Sequence, residues 1–450
     1  MNKSPNNLQG IAVFMSDLQK IILSNGLTVL LKPMHTAPVI SFWVLYRIGS
    51  RNEPTGLTGV SHWVEHMLFK GTEQFPAGYL DAAIDREGGE WNAQTSYDYT
   101  AYYETMPAER IDLALRAEAD RMVNATFHPE DVESERTVIL SERRGSENSH
   151  WFWLTEDVHG AMFRVHGYRH KIIGDTHDLL TMTRDDLYNH YRRHYTPANA
   201  IIGIAGDFES EAMAARIREL YEGLPGGERP SLFARPEPPQ QGERRLRVER
   251  PGPTHALMIA YRAPAVTDPD WLHLLMLDAI LDGASIPGGG SAGGRTARLY
   301  QALVKTEIAV SVGTGLNETH DPYMYSFSAT AREGRTLEEV ETAIYGVIDG
   351  ALRGELTQAE LDRARKQIRA LLAYNKESIT NQAFKMAYFE HVAGDPQWHE
   401  RAGERLLTIT LDDVHRAAQK YLRPSQRTVG YFIPTNADDQ IDESALEEIA

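Results

Sequence analysis

The segment Leu179-Leu180-Thr181-Met182-Thr183-Arg184-Asp185-Asp186-Leu187 returns as Leu406-Leu407-Thr408-Ile409-Thr410-Leu411-Asp412-Asp413-Val414, 227 positions later. At the same shift Pro197 meets Pro424 and Gly203 meets Gly430, each leading into an apolar run that reads as a strand. Nearer the start, Val44-Leu45-Tyr46-Arg47 parallels Ile259-Ala260-Tyr261-Arg262 at a shift of 215, and a turn segment and an apolar helix follow both. One structural unit is written twice, so the chain is expected to fold as two like halves, residues 1–224 and 243–450. The Pro/Gly-rich stretch 225–242 is their linker. A length of 450 residues fits two or three domains, and 42% hydrophobic content supports real cores. Within each half, alternating apolar runs such as 28–32 and 39–48 are interleaved with helical stretches. The expected class is α+β: two homologous halves, each an antiparallel-rich sheet with helices packed on one face.

Chemistry concentrates in His62-Trp63-Val64-Glu65-His66. On a helix, positions i and i+4 share one face, so His62 and His66 can reach a single ion. Imidazole nitrogens suit zinc, and Glu65, beside both, is placed to take a proton from a water at the metal. When this helix is carried into the second half at the shift of 215, His62, Glu65 and His66 land on Leu277, Ile280 and Leu281. Only the first half can hold the metal. The chain has no cysteine, which excludes disulfides and thiolate ligands and leaves histidine and carboxylate as the strong zinc donors.

A catalytic zinc takes three protein ligands and keeps one position open. The next donors lie on 128–145, where Pro129 suits a first helical turn, acids crowd that turn, and Arg143, Arg144 and Gly145 suit the end. Glu135 and Glu142 are seven residues apart and face the same way, so periodicity does not choose between them.

The run Gly59-Val60-Ser61-His62-Trp63-Val64-Glu65-His66-Met67-Leu68-Phe69-Lys70-Gly71-Thr72 resembles the active-site helix of the pitrilysin/insulinase-type inverzincins, nearest the mitochondrial processing peptidase branch. The resemblance implies a zinc metalloendopeptidase whose third ligand is a glutamate about seventy-five residues after the second histidine. Here that is Glu142, 76 residues after His66. It also implies that Glu65 is the catalytic base and that Glu135, one heptad before Glu142, supports the site without binding the metal. Gly88-Gly89-Glu90-Trp91-Asn92-Ala93-Gln94-Thr95-Ser96 is similar to the family's substrate strand, so Asn92 and Ala93 would pair with an extended peptide. The two halves would face each other around a chamber that admits peptides or unfolded segments.

The resemblance bears on partners too. Members that act alone carry an arginine and, seven residues later, a tyrosine in the second half, and these two side chains stabilise the oxyanion. The matching stretch, Arg298 to Val312, has Val304 (or Lys305) and Val310 in those places, and Arg298 and Tyr300 do not reproduce the spacing. A homologous subunit carrying the Arg/Tyr pair is therefore expected, giving a heterodimer or a dimer of heterodimers. The competing expectation is a non-catalytic peptide-binding or assembly subunit, although such relatives lose ligands that this chain retains.

The remaining features exclude more than they assign. A formal net charge of −17 argues against a nucleic-acid partner. No run of about 20 apolar residues suggests a membrane span, and no signal peptide is legible in residues 1–20, so the expected location is cytoplasmic, or periplasmic if the start has been processed. The glycine-rich stretch 283–294 lacks the Lys-Ser/Thr of a phosphate loop and reads as a mobile surface loop. His150, His159, His166 and His170 have spacings unsuited to a second metal site, Trp151-Phe152-Trp153 reads as core or subunit contact, and Tyr97 and Tyr99 read as packing residues on one strand face.

Overall fold

The apolar runs become two mixed sheets in the computed structural model, which describes residues 13–15, 18–227, 229–230, 235–375 and 377–435. Most of the expected linker is described, but residues 228 and 231–234 lie outside the described residues, as do 1–12 and 16–17 of the opening stretch. The first sheet contains β1 (Val13–Met15), β2 (Leu18–Ile22), β3 (Thr28–Pro33), β4 (Val39–Tyr46), β5 (Glu90–Thr95), β6 (Thr100–Pro107) and β7 (Ala200–Gly206). The second half contributes β8 (Arg244–Pro251), β9 (Ala256–Arg262), β10 (Gly283–Ser285), β11 (Ser291–Gly293), β12 (Ala309–Leu316), β13 (Met324–Ala331) and β14 (Arg427–Thr435).

The first sheet runs β1-β2-β3-β7-β4-β6-β5 and the second β12-β13-β9-β14-β8. Every adjacent pair is antiparallel except β3–β7 and β14–β8. The order β3-β7-β4-β6-β5 is thus repeated as β8-β14-β9-β13-β12, with the parallel pair in the same place. Both sequence shifts meet in one cross-strand pair: Trp43 opposes Gly203, and Met258 opposes Gly430. The fold is α+β in two domains.

The helices of the first half are α1 (Val60–Met67), α2 (Tyr79–Arg86), α3 (Asp112–Asn124), α4 (Pro129–Glu147), α5 (His150–Met162), α6 (Thr176–Thr181), α7 (Arg184–His194) and α8 (Ser210–Tyr221). Those of the second half are α9 (Pro269–Leu281), α10 (Leu337–Leu352), α11 (Gln358–Tyr374), α12 (Ile379–Ala393), α13 (Trp398–Leu406) and α14 (Leu411–Tyr421). The repeated Thr-x-x-Asp opens α7 and α14 identically. Thr183 accepts from the Asp186 amide and Thr410 from the Asp413 amide, and each aspartate returns a bond to its threonine. None of the described helices is long and apolar enough to cross a membrane.

The compact units exchange one segment each relative to the sequence halves. One unit comprises Met1–Leu140, Lys171–Ala234 and Glu377–Trp398, and the other comprises Ser141–His170, Arg235–Lys376 and His399–Ala450. In the first unit, α12 packs across β7, β4 and β3. The even-numbered side chains of β4 (Ile40, Phe42, Val44 and Tyr46) point the other way, into a core with Val60, Trp63, Val64 and Met67 of α1. Burying each such aliphatic or aromatic side chain contributes about 1.5–3 kcal/mol. In the second unit, α5 packs across β14, β8 and β9. The repeated glycines admit both exchanged helices. A Cβ on Gly203 would stand 2.4 Å from the Ala383 carbonyl oxygen of α12, and one on Gly430 would stand 2.5 Å from Val158 Cγ2 of α5.

Two local expectations change. The stretch 283–294 contains a hairpin, β10 paired with β11, because Gly288, Gly289 and Gly290 all take positive φ and turn the chain. Tyr97 and Tyr99 lie in the turn between β5 and β6, not on a strand, and Tyr99 packs its ring against Phe384 and Tyr388 of α12.

Candidate metal centre

Helix α1 is short, and its position is set by its first turn. Gly59 caps it at φ 88°, with the backbone so close to residues 173–174 that a Cβ would lie 2.6 Å from the Ile173 carbonyl oxygen. The first turn contains no acid of its own. Glu53 supplies one: its carboxylate accepts from the Gly59 amide at 2.7 Å and the Ser61 amide at 2.8 Å. Burial pushes the Glu53 carboxyl up to about 7 despite these amides. Ser61 Oγ also meets His190 Nε2 of α7 at 3.3 Å.

With Val60, Trp63, Val64 and Met67 in the core, the opposite face of α1 presents His62 and His66, both half-buried. Their ring centroids are 4.7 Å apart. Helix α4 is seated by buried Val132 and Ile139, and by Arg136, whose guanidinium stacks 4.7 Å from the Trp63 ring and bonds the Leu179 and Met182 carbonyls. Two turns further along the same helix, Glu142 brings its carboxylate to the histidines. Ligand atoms of His62, His66 and Glu142 all lie within 4.8 Å of one another, and among the described residues they form the group able to hold a metal ion.

The donor set fits zinc: two imidazoles, one carboxylate and, with three protein donors, an open position. Burial and the neighbouring His66 ring hold the His62 imidazole down to about 4, so it is neutral at pH 7, the form that ligates. Glu135 stands elsewhere. Its Oε2 meets His66 Nδ1 at 2.9 Å, and its Oε1 pairs with Lys70. The hydrogen bond from His66, with help from Lys70 and against burial, holds the Glu135 carboxyl below its ordinary value. With Nδ1 engaged by Glu135, Nε2 is the nitrogen of His66 that would ligate a metal.

Glu65 is buried one position before His66 and accepts a hydrogen bond of 2.5 Å from Thr95 Oγ1. Thr95 ends β5, an edge strand of its sheet, against which α1 packs. Asn92 and Ala93 lie on that edge strand opposite Tyr103 and Tyr102 of β6, and Asn92 Oδ1 accepts from the Ala93 amide at 2.8 Å. Sequence reasoning did not single out Glu53 or Lys70, and it gave Thr95 only as a member of the substrate-strand motif, with no contact assigned. Each acts through a contact with a residue far along the chain or on another element, which helical and strand periodicity does not report.

In the second unit, Leu277, Ile280 and Leu281 of α9 are fully buried. Arg298 is held by Glu360 through bonds of 2.7 and 2.9 Å, Tyr300 opens a π-turn that ends at Val304, and Val310 is exposed on β12. His159 bonds Tyr323 at 3.0 Å and His166 bonds Asp321 at 3.1 Å. Trp151, Phe152 and Trp153 are half-buried on α5, with Arg250 stacked 3.6 Å over Trp153.

Two family models match this chain. The one described as Insulinase (Peptidase family M16) covers residues 28–176, and the one described as Peptidase M16 inactive domain covers residues 181–368. Similar proteins include one from Helicobacter pylori named zinc protease PqqE, 28% identical over 424 residues, 92% of this chain and 93% of that one. Another, from Arabidopsis thaliana, is named probable mitochondrial-processing peptidase subunit beta and is 28% identical, covering 89% of this chain and 75% of that one. A crystal structure of a protease from Helicobacter pylori superposes with a TM-score of 0.87 at 28% identity, over 93% of this chain and 99% of that one. A Pseudomonas fluorescens structure described as a peptidase M16 inactive domain shares the fold, with a TM-score of 0.84 at 17% identity, over 93% of this chain and 98% of that one.

Proposed function

We propose that this chain, which two peptidase M16 family models match and which is similar to proteins named zinc proteases, is a zinc-dependent endopeptidase of the inverzincin type acting on peptides or unfolded segments. The observation that carries this reading is the convergence of His62, His66 and Glu142 within 4.8 Å, with the Glu65 carboxylate on the same helix. His62, His66 and Glu142 hold the metal, and Glu135 orients His66. Zinc, when bound, polarises the scissile carbonyl and acidifies water. Glu65 takes the proton from the attacking water and passes it to the leaving amine. Asn92 and Ala93, on the free edge of the sheet, receive the peptide as an added strand, which recognises backbone more than side chains.

In this reading residues 1–224 are the catalytic half, 225–242 the linker and 243–450 a homologous half without metal ligands. The chain is the zinc-bearing subunit of a two-subunit enzyme, its partner a homologous subunit that carries the Arg/Tyr pair. The Arabidopsis relative's name, a beta subunit, supports that arrangement. A second reading, a non-catalytic peptide-binding or assembly subunit, draws on the inactive-domain match over residues 181–368. The complete donor set in the other half favours catalysis. Glu65→Gln separates the two readings: it should retain zinc yet lose nearly all cleavage of an unfolded peptide. Wild-type cleavage by that variant, with its assembly intact, would remove Glu65 from the mechanism.

A further inference from the structure

We propose that Thr95 is the positioning residue for the base, fixing the Glu65 carboxylate in register with the strand that receives the peptide. The inference rests on the reading of Glu65 given above. The bond from Thr95 Oγ1 to Glu65 Oε2 is 2.5 Å, at the short end of the range for a hydroxyl donating to an ionised carboxylate. Proton accounting assigns the Thr95 hydroxyl to this bond. Its other hydroxyl neighbour, Thr100 Oγ1, is 3.4 Å away and donates its own proton to the Ile48 carbonyl at 3.0 Å. Thr95 has one proton, and Glu65 receives it.

The strand gives this bond its consequence. Thr95 is paired with Thr100, and each residue back to Glu90 is paired in turn along β6, so β5 is held residue by residue. Asn92 and Ala93, which meet the peptide backbone, lie three and two residues before Thr95 on that strand. One rigid element therefore sets both the docking edge and the anchor of the base. A glutamate side chain has three torsions to fix. Burial and the Thr95 bond together hold the carboxylate where a proton can be taken from water beside a docked peptide.

The test compares Thr95→Val, Thr95→Ser and Glu65→Gln in the zinc-loaded protein, purified in its native assembly and assayed on one unfolded basic peptide. Valine keeps the shape and the strand preference and removes the hydroxyl. Thr95→Val should lower kcat about ten- to hundred-fold, leave KM within about twofold and leave zinc retention against a chelator unchanged. Thr95→Ser should restore kcat to within about threefold of wild type. If Thr95→Val turns over at the wild-type rate while Glu65→Gln is inactive, the Thr95 inference falls and the base stands. If Thr95→Ser falls as far as Thr95→Val, or if Thr95→Val releases zinc, the residue acts through packing and the inference also falls. If Glu65→Gln retains full activity, the underlying reading falls first and takes this one with it.

Discussion

Glu135 and Glu142 lie two turns apart on α4, yet their surroundings differ: one is buried behind His66 and pinned by Lys70, the other is exposed beside both imidazoles. Removing a metal donor costs the metal directly, whereas removing the partner of a donor typically costs about 10–100-fold in affinity or activity. Glu142→Gln should therefore release zinc to a chelator sooner than Glu135→Gln, as competition with a metal-sensitive dye would measure. The reverse order would exchange the two roles. The seven-residue spacing was legible, and so was the shared face of His62 and His66. What periodicity lacked was the docking of α4: which end of that helix meets the histidines depends on Arg136 stacking on Trp63 and on buried Val132 and Ile139. The Thr95 hydroxyl was unreadable for a similar reason, since a strand pattern gives a face and not a partner.

Elements carry two further predictions. The capping carboxyl of α1, Glu53, has its pKa raised by burial from 4.5 to about 7. An acid with a raised folded pKa holds its proton more tightly when folded, so its contribution is greatest below about pH 4.5, declines as pH rises to about 7, and is level above. Glu53→Gln has no proton to lose. Denaturant melts at pH 5 and pH 8 should show wild type losing ground to this variant by up to about 3 kcal/mol as pH rises. An equal gap at the two pH values would mean that the carboxyl ionises as freely in the fold as in the open chain. The repeated glycines make the second prediction. Gly203→Ala and Gly430→Ala push a methyl into α12 and α5 respectively, and each should lower stability by roughly 1–3 kcal/mol, read as a fall in melting temperature. The recurrence of these glycines at the 227-residue shift was visible in the sequence, as was the repeated segment whose Thr-x-x-Asp opens α7 and α14. The exchange of α5 and α12 was not. An apolar helix has the same periodicity whichever sheet it covers, and only the close approach at each glycine records the choice.

For the whole molecule, duplication has left, among the described residues, one candidate metal-binding group and one helix of pure core. The counterpart of the zinc-motif helix, α9, buries Leu277, Ile280 and Leu281 completely, so the second unit offers the metal nothing at those places. Nor does the described second half supply oxyanion donors where the resemblance would require them. Val304 and Val310 carry no polar side-chain group, Lys305 Nζ donates to Gln301 Oε1 at 2.9 Å, and Arg298 is occupied by a two-point ion pair with Glu360. Loss of one preorganised oxyanion donor costs about 10²–10³ in rate. A chain with a complete set of zinc donors and no such donors should bind metal well and turn over poorly by itself. The expected outcome is that the purified chain retains zinc, cleaves an unfolded peptide slowly, and gains about 10²–10³ in kcat/KM when co-expressed with a homologous subunit that has the Arg/Tyr pair. Metal content and rate must be measured on the same sample, because low activity with low zinc would reflect an unloaded site and not a missing partner. Full activity from the zinc-loaded chain alone, with no gain from any added relative, would show that the second half supplies its own donors, and the two-subunit arrangement would fall.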